Sequence, residues 1–206
     1  MPVLRRRSAL TLAVSIAVAM AMATLYLLKL PPFEQRAAIG IDELCESIGP
    51  SGNTVEALEN ILPRQSEYSF DDTINARGGR KGPYSSMCAV WGEEKVLMSI
   101  RAETMTFELT ETWVNQVVLQ REPNRDSLKP FDAGDKALAS SRVAAILVPC
   151  TPREVSDFTA HMSVTVALKQ LTDKVDEQVR ESLTDIARSA AEYAHERAKC
   201  ELPSKL

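Results

Sequence analysis

The chain has 206 residues, of which 45% are hydrophobic and 25% charged, a composition ordinary for a folded protein. Four of its 24 basic residues precede Pro31, whereas all 28 acidic residues follow it. The part after Pro31 therefore carries 20 basic and 28 acidic residues, a net charge near −8. This charge argues against nucleic acid as a partner and against binding to anionic lipid through clustered basic residues.

The first predicted element is a membrane anchor. Ser8 to Leu28 contains no charged residue and directly follows three arginines at 5–7. A helix needs about 20 apolar residues to cross a lipid bilayer, and basic flanks stay preferentially on the cytoplasmic side. We therefore predict a cytoplasmic tail at 1–7, a transmembrane signal-anchor helix at 8–30, a linker at 31–40 and an extracytoplasmic domain at 41–206.

A cleaved secretory signal is the alternative interpretation. Ala21-Met22-Ala23 has the small-x-small pattern of a cleavage site, so a secreted chain would begin near Thr24. The apolar run is longer than the roughly 7 to 15 residues of a signal peptide. Its length favours an uncut, single-pass protein of the cell membrane.

The first half of the exterior domain is predicted to hold two helices and a hairpin. Asp42 to Ile48 predicts a short helix, and Asn53 predicts the start of another over Val55 to Leu62. Strand patterns follow in Tyr68 to Ile74, Met87 to Trp91 and Val96 to Ala102, the last two joined as a hairpin. The alternation of the third strand continues to Leu109, so we expect a bend or bulge near Glu103 to Thr106.

The second half is predicted to begin with a helical face at Trp113 to Val118 and a long polar connection at Glu122 to Ser140. Val143 to Val148 is uniformly apolar, as in a central strand buried on both faces. Phe158 to Leu168 alternates strictly, which predicts one face in the core and the other in water. Thr172 to Lys199 has apolar residues every three or four positions and predicts a long amphipathic helix across the sheet.

These elements predict an α+β fold, an antiparallel sheet with a long C-terminal amphipathic helix packed on it, preceded by one N-terminal transmembrane helix. The four cysteines, Cys45, Cys88, Cys150 and Cys200, lie outside the membrane in this arrangement, where disulfides persist. Of the three possible pairings we predict Cys45 with Cys88 and Cys150 with Cys200. Each bridge then joins a helix to a strand within one half and contributes about 4 kcal/mol.

No pattern in the chain predicts a catalytic, cofactor-binding or metal-binding residue. His161 is expected on the polar face of its strand and His195 near the end of the last helix. The acid pairs at 71–72 and 93–94 are expected to be solvated beside turns, and Trp91 and Trp113 are expected in the core. Arg77 to Pro83 contains three cations and three glycines; an anion site there is less favoured than a turn.

A family resemblance accompanies these features. It rests on the cationic start with its apolar helix, on Asp42-Glu43-Leu44-Cys45, Cys88-Ala89-Val90-Trp91 and Leu147-Val148-Pro149-Cys150, and on the Ala-rich helix that reaches Cys200. Together they resemble uncharacterised exported or membrane-anchored proteins of streptomycete-type actinobacteria, although the chain lacks the lipoprotein box that some of those proteins carry. The resemblance implies an envelope protein and transfers no catalytic residue.

The function expected from these observations is a binding or structural module of the cell envelope, anchored in the lipid bilayer and recognising an envelope protein or a small ligand. Two alternatives remain open. One is an envelope hydrolase or transferase with an unrecognised carboxylate site. The other is a sensor or partner subunit of another membrane protein.

Overall fold

The computed structural model describes residues 17–20, 22–24, 36–76, 84–106, 110–151, 160–170 and 174–206. The chain divides into two units, Met1–Ala37 and Ala38–Leu206. In the first unit residues 17–20 and 22–24 are helical, and most of the anchor predicted at 8–30 lies outside the described residues. Among the described residues, no helix has the length and apolar character needed to cross a membrane.

The described part of the second unit contains a seven-stranded antiparallel sheet in the order β1-β2-β3-β7-β6-β5-β4. The strands are β1 Ser69–Ala76, β2 Tyr84–Gly92, β3 Lys95–Thr106, β4 Lys129–Pro130, β5 Lys136–Ala139, β6 Val143–Thr151 and β7 Ala160–Leu168. With the C-terminal helix packed on it, the sheet confirms the predicted α+β class.

Three α-helices lie in the described part of this unit. They are α1 Gly52–Ile61, α2 Thr110–Trp113, which continues as a π-helix at Val114–Val118, and α3 Asp176–Arg197. Single 3₁₀ turns occur at Ile41–Glu43, Glu46–Ile48 and Arg125–Ser127. The short helix predicted near Asp42 is therefore two 3₁₀ turns.

The start of α1 differs from the prediction. The N-cap is Ser51, whose side chain accepts a hydrogen bond from the Thr54 backbone N–H at 3.2 Å. Asn53, the predicted cap, already lies inside the helix. A hydroxyl side chain two residues earlier satisfies the free N–H groups of the first turn just as well, which is why the pattern misplaced the start.

The inner face of the sheet, defined here as the face toward α3, forms one side of the core. The predicted apolar positions of α3 are fully buried there, namely Val179, Leu183, Ile186, Ala190 and Ala194. Val175, which the periodicity included, precedes the helix and is 65% exposed. The helix packs on β6 and β7, as the sequence predicts.

The outer face, which is the opposite face, is also covered over β5, β6 and β7. Trp113 and the π-helix pack there against Val143, Ala145, Leu147 and Ala167. The second face of β7 was predicted to be wet, and that prediction is wrong. Its members Ser163, Thr165 and Ala167 are at most 4% exposed because a helix from an earlier part of the chain covers them.

Two further predictions about strands are wrong. No bulge occurs in β3 near Glu103, since its pairing with β7 runs in register to Thr106 and the register shift with β2 lies between Val90 and Trp91. The polar connection predicted at Glu122 to Ser140 contains β4 and β5. These strands are only two and four residues long, too short to produce a clear alternation.

Both predicted disulfides are confirmed. Cys45 is bonded to Cys88 and Cys150 to Cys200. Cys150 lies where the register of β6 with β7 shifts, directly after Pro149, which has no N–H for the ladder. The carbonyl of Cys150 instead accepts hydrogen bonds from the N–H groups of Glu201 and Leu202, at 2.8 and 3.2 Å. The segment after α3 is thereby fixed to β6.

Candidate functional site

The two histidines do not form a shared site. His161 Nε2 lies 3.2 Å from Asp135 Oδ2, and the other oxygen of Asp135 accepts a hydrogen bond from Lys205 Nζ at 2.6 Å. His195 Nε2 lies 2.9 Å from the carbonyl oxygen of Leu202. His195 therefore binds the C-terminal segment directly, whereas His161 binds Asp135, which in turn binds Lys205 of that segment. Both contacts are structural.

The acid pairs have separate roles as well. Asp72 accepts hydrogen bonds from the backbone N–H and the hydroxyl of Ser47, at 3.1 and 2.6 Å, and so ties β1 to the turn before α1. Glu93 and Glu94 form the two-residue turn between β2 and β3, both with positive φ. The glycine-rich segment at 77–83, considered for an anion, lies outside the described residues.

A groove of about 740 Å³ lies between α1 and α3; we call it the interhelical groove. Carboxylate, amide and hydroxyl side chains from both helices form most of its walls. The charged lining residues are Glu56, Lys174, Glu181, Asp185, Arg188 and Glu192, and the uncharged ones are Ser51, Asn53, Thr54, Ala57, Asn60, Gln178, Ser182 and Ser189.

The two helices are joined at one end of this groove by hydroxyl groups around the Gly49 carbonyl. Ser189 Oγ and Thr54 Oγ1 both donate to this oxygen, at 2.8 and 3.0 Å. Gly49 has φ +66°, and a Cβ on it would lie 2.7 Å from Ser189 Oγ. Glycine is therefore required for this close approach, and the contact fixes the spacing of α1 and α3.

Negative charge dominates the interhelical groove, since four carboxylates face two cations. One of those cations, Arg188, donates from Nη2 to the carbonyl of Asp132 at 2.6 Å and lies over the Phe131 ring at 5.5 Å. The pKa of Asp185 is raised, first by burial and then by Glu181, with Arg188 opposing. The raised pKa therefore reflects, above all, the burial of the Asp185 carboxyl.

The groove lining is rich in groups that form hydrogen bonds. It combines four carboxylates and two cations with hydroxyl and amide side chains, and it contains no histidine, cysteine or tyrosine. Across the described residues no cluster of three or more potential ligands for a metal ion is present. Carboxylates and amides on two fixed helices do provide many hydrogen-bond acceptors for a polar ligand.

The two tryptophans occupy different environments. Trp113 is fully buried and its indole Nε1 donates to Ser163 Oγ at 2.9 Å, so the prediction of a core position is confirmed for it. Trp91 is partly exposed and lines a pocket of about 310 Å³ at the β2–β3 turn. For Trp91 the prediction is wrong, because β2 lies in the half of the sheet whose outer face has no helix over it.

Searches among protein-family models, curated proteins and solved structures find no match for this chain. The sequence places Glu181 and Asp185 in the long C-terminal helix, but it does not reveal that α1 lies opposite them. The only sequence signal for that pairing is the small residue Gly49 ahead of α1, whose contact with Ser189 is visible only in three dimensions.

Proposed function

We propose that the protein is a membrane-anchored, extracytoplasmic binding module of the cell envelope, and that its interhelical groove binds a ligand carrying positively charged amines. The observation that carries this proposal is the fixed groove between α1 and α3 with its four carboxylates. The mechanism is non-covalent: the groove presents its acceptors outside the membrane, and the disulfides hold the domain that carries it.

The location is supported by the covalent framework and by the amino-terminal sequence. All four cysteines are paired, and structural disulfides persist in oxidising compartments such as the outside of a bacterial membrane. The uncharged run from Ser8 to Leu28 after three arginines has the length of a spanning helix with its amino terminus inside. Together they favour a domain displayed outside the membrane.

The ligand class follows from the charge of the interhelical groove. Arg188 opposes the rise in the pKa of Asp185, but burial and then repulsion between Asp185 and Glu181 outweigh it. An ammonium group between them would relieve this repulsion and make charge-assisted hydrogen bonds. Amides and hydroxyls on both walls would bind the polar remainder of such a ligand.

The test is calorimetric titration of the full-length chain, in a non-ionic detergent, with the tripeptide Lys-Lys-Lys. Glu181→Gln combined with Asp185→Asn removes two charges from the groove and should weaken binding at least about tenfold, the loss expected for two charge-assisted contacts. Raising the salt concentration should also weaken binding, because exposed charges are screened.

The matched control is Glu177→Gln combined with Glu196→Gln, which removes two charges from the same helix outside the interhelical groove. This variant has the same net charge as the groove variant, so non-specific attraction falls equally in both. Equal loss of affinity in the two variants, or no heat of binding for the unaltered chain at low salt, would contradict the proposed groove.

A further inference from the structure

The pocket at the β2–β3 turn, which we call the Trp91 pocket, combines an aromatic ring with oxygen acceptors. Its lining residues are Ser66, Glu67, Ser69, Trp91, Gly92, Glu93 and Glu94, around a volume of about 310 Å³. Trp91 pairs with Ser69 across β1 and β2, so ring and hydroxyl lie side by side on rigid strands. The segment before β1 and the hairpin turn supply the other walls.

The exposure of Trp91 is the first argument for a ligand here. Trp113 is the structural tryptophan for comparison: its ring is fully buried and its indole N–H donates to Ser163. Trp91 instead keeps part of its ring at the surface beside the pocket. A large flat apolar ring next to polar groups is the arrangement that binds amphipathic ligands.

The glycine beside Trp91 is the second feature of this site. Gln65 and Leu97 pack directly on Gly92, where a Cβ would lie 2.7 Å from Gln65 Cγ and 2.8 Å from Leu97 Cδ1. Position 92 therefore has no room for a side chain, and it contributes only backbone to the pocket wall beside Trp91.

The charge of the Trp91 pocket decides between ligand classes. Three of its lining residues are glutamates and none is basic, so phosphate groups and acidic sugars are repelled. Carboxylates accept hydrogen bonds from hydroxyl groups strongly, and the C–H face of a sugar ring is apolar enough to stack on an indole. A neutral sugar satisfies both surfaces at once.

We propose that the Trp91 pocket binds a neutral sugar ring, with the ring stacked on Trp91 and its hydroxyl groups bonded to the glutamates and serines around it. This second site is separate from the interhelical groove, so it does not depend on the function proposed for the groove. Its ligand is a terminal or internal residue of a neutral glycan.

The test uses the full-length chain in a polyoxyethylene detergent, which has no sugar headgroup to compete. Saturation-transfer NMR and titration are carried out with three neutral trisaccharides, which are tri-N-acetylchitotriose, cellotriose and mannotriose, and with acidic trigalacturonate. We expect saturation of ring protons in at least one neutral sugar and a weaker response from trigalacturonate.

Trp91→Ala should weaken binding about tenfold or more, because both the stacking and its buried area are lost, whereas Trp91→Phe should lose less. Glu67→Gln should weaken binding severalfold. Because Glu67 is exposed, we expect this variant to fold, and it tests the pocket if Trp91→Ala does not fold. Met87→Ala is the matched control, since Met87 is an exposed apolar residue of β2 outside the Trp91 pocket.

Three results would overturn the proposal. The first is that none of the neutral trisaccharides binds. The second is that binding persists unchanged in Trp91→Ala and in Glu67→Gln, or falls as much in Met87→Ala. The third is that trigalacturonate binds as tightly as the neutral sugars, which would remove the argument from the three glutamates.

Discussion

The outer face of the sheet has two halves whose environments differ, although β7 in one half alternates in sequence as β3 does in the other. One cross-strand row runs through both, from Thr73 to Met87, Arg101 and Thr165. Its first three members are exposed, Met87 by 49%, whereas Thr165 is 3% exposed. The row thus passes from solvent into the core within a single sheet.

The cause of this difference lies outside the strands themselves. Trp113 and the π-helix cover the outer face over β5, β6 and β7, while no described helix packs on the outer face of β1 and β2. Serine and threonine lie on the outer face of β7 as well as on that of β1 and β2, so the residue types of β7 do not reveal that its outer face is buried. The comparison shows that exposure on the outer face is determined by where a helix from a distant part of the chain packs.

The largest expected effect comes from removing the covering side chain. Trp113→Ala should lower the free energy of unfolding by about 3–5 kcal/mol, since a fully buried indole leaves a cavity. Met87→Ala in the open half should change it by less than about 0.5 kcal/mol. Urea denaturation followed by circular dichroism measures both, and similar values for the two variants would mean that the halves do not differ.

Each disulfide ties a segment outside the sheet to one strand, Cys45 to β2 and Cys200 to β6. Cys150→Ser with Cys200→Ser should lower the free energy of unfolding by about 2–4 kcal/mol. Cys45→Ser with Cys88→Ser should cost nearly the same, because the sequence separations are 50 and 43 residues. Denaturation of the two double variants checks this, and the expectation fails if either bridge can be removed without loss.

A matched pair of serines sharpens the comparison of the two halves. Ser163→Ala removes the acceptor of the buried Trp113 indole N–H and should cost about 1–3 kcal/mol. Ser99→Ala, on the outer face of β3 in the open half, should cost less than about 0.5 kcal/mol. Near-ultraviolet circular dichroism of Trp113 should change in the first variant only, and an equal change in the second would contradict the assignment.

A smaller effect of opposite sign is expected at the hairpin turn. Glu94 has φ +63°, a conformation that costs a non-glycine residue about 1–2 kcal/mol. Glu94→Gly should therefore raise the free energy of unfolding by up to about 1 kcal/mol, after the entropy of glycine in the unfolded chain is subtracted. Glu192→Gly, at an exposed position in the interior of α3, should instead lower it by about 1 kcal/mol, and thermal denaturation distinguishes the two signs.

The smallest effect concerns the interhelical groove and depends on pH. Because the pKa of Asp185 is raised in the folded domain above its ordinary 3.8, the folded state binds more protons just above that pH than the unfolded state does. This carboxyl therefore lowers stability as the pH rises from 3.8 through the folded pKa. Asp185→Asn should be more stable than the unaltered chain at pH 7, and the two should converge below pH 3.8. A difference that does not change with pH would contradict this assignment.

Local patterns were sufficient to predict much of the fold. The hairpin, the doubly buried β6, the apolar face of α3 and both disulfides follow from periodicity and from cysteine spacing. The hairpin, β6 and the apolar face of α3 each depend on a single contiguous run of residues, whereas the disulfides were predicted because pairing within each half joins a helix to a strand. Such features are specified where burial requires one register or one helical face.

The features that escaped prediction depend on contacts between distant segments. The covering of Ser163 by Trp113, 50 residues earlier, is one. The pairing of α1 with α3 through Gly49 and Ser189, 140 residues apart, is another, and it creates the interhelical groove. The partial exposure of Trp91 follows from the open half of the sheet, which is itself a consequence of where α2 packs.

The proposed function depends first on an uncut anchor and an oxidised exterior domain. Mass spectrometry of the protein from its native membrane, intact and after non-reducing digestion, tests both at once. The predicted result is an uncut amino terminus with disulfide-linked Cys45–Cys88 and Cys150–Cys200 peptides. A chain beginning near Thr24 would contradict the anchor, and four free thiols would contradict an extracytoplasmic domain.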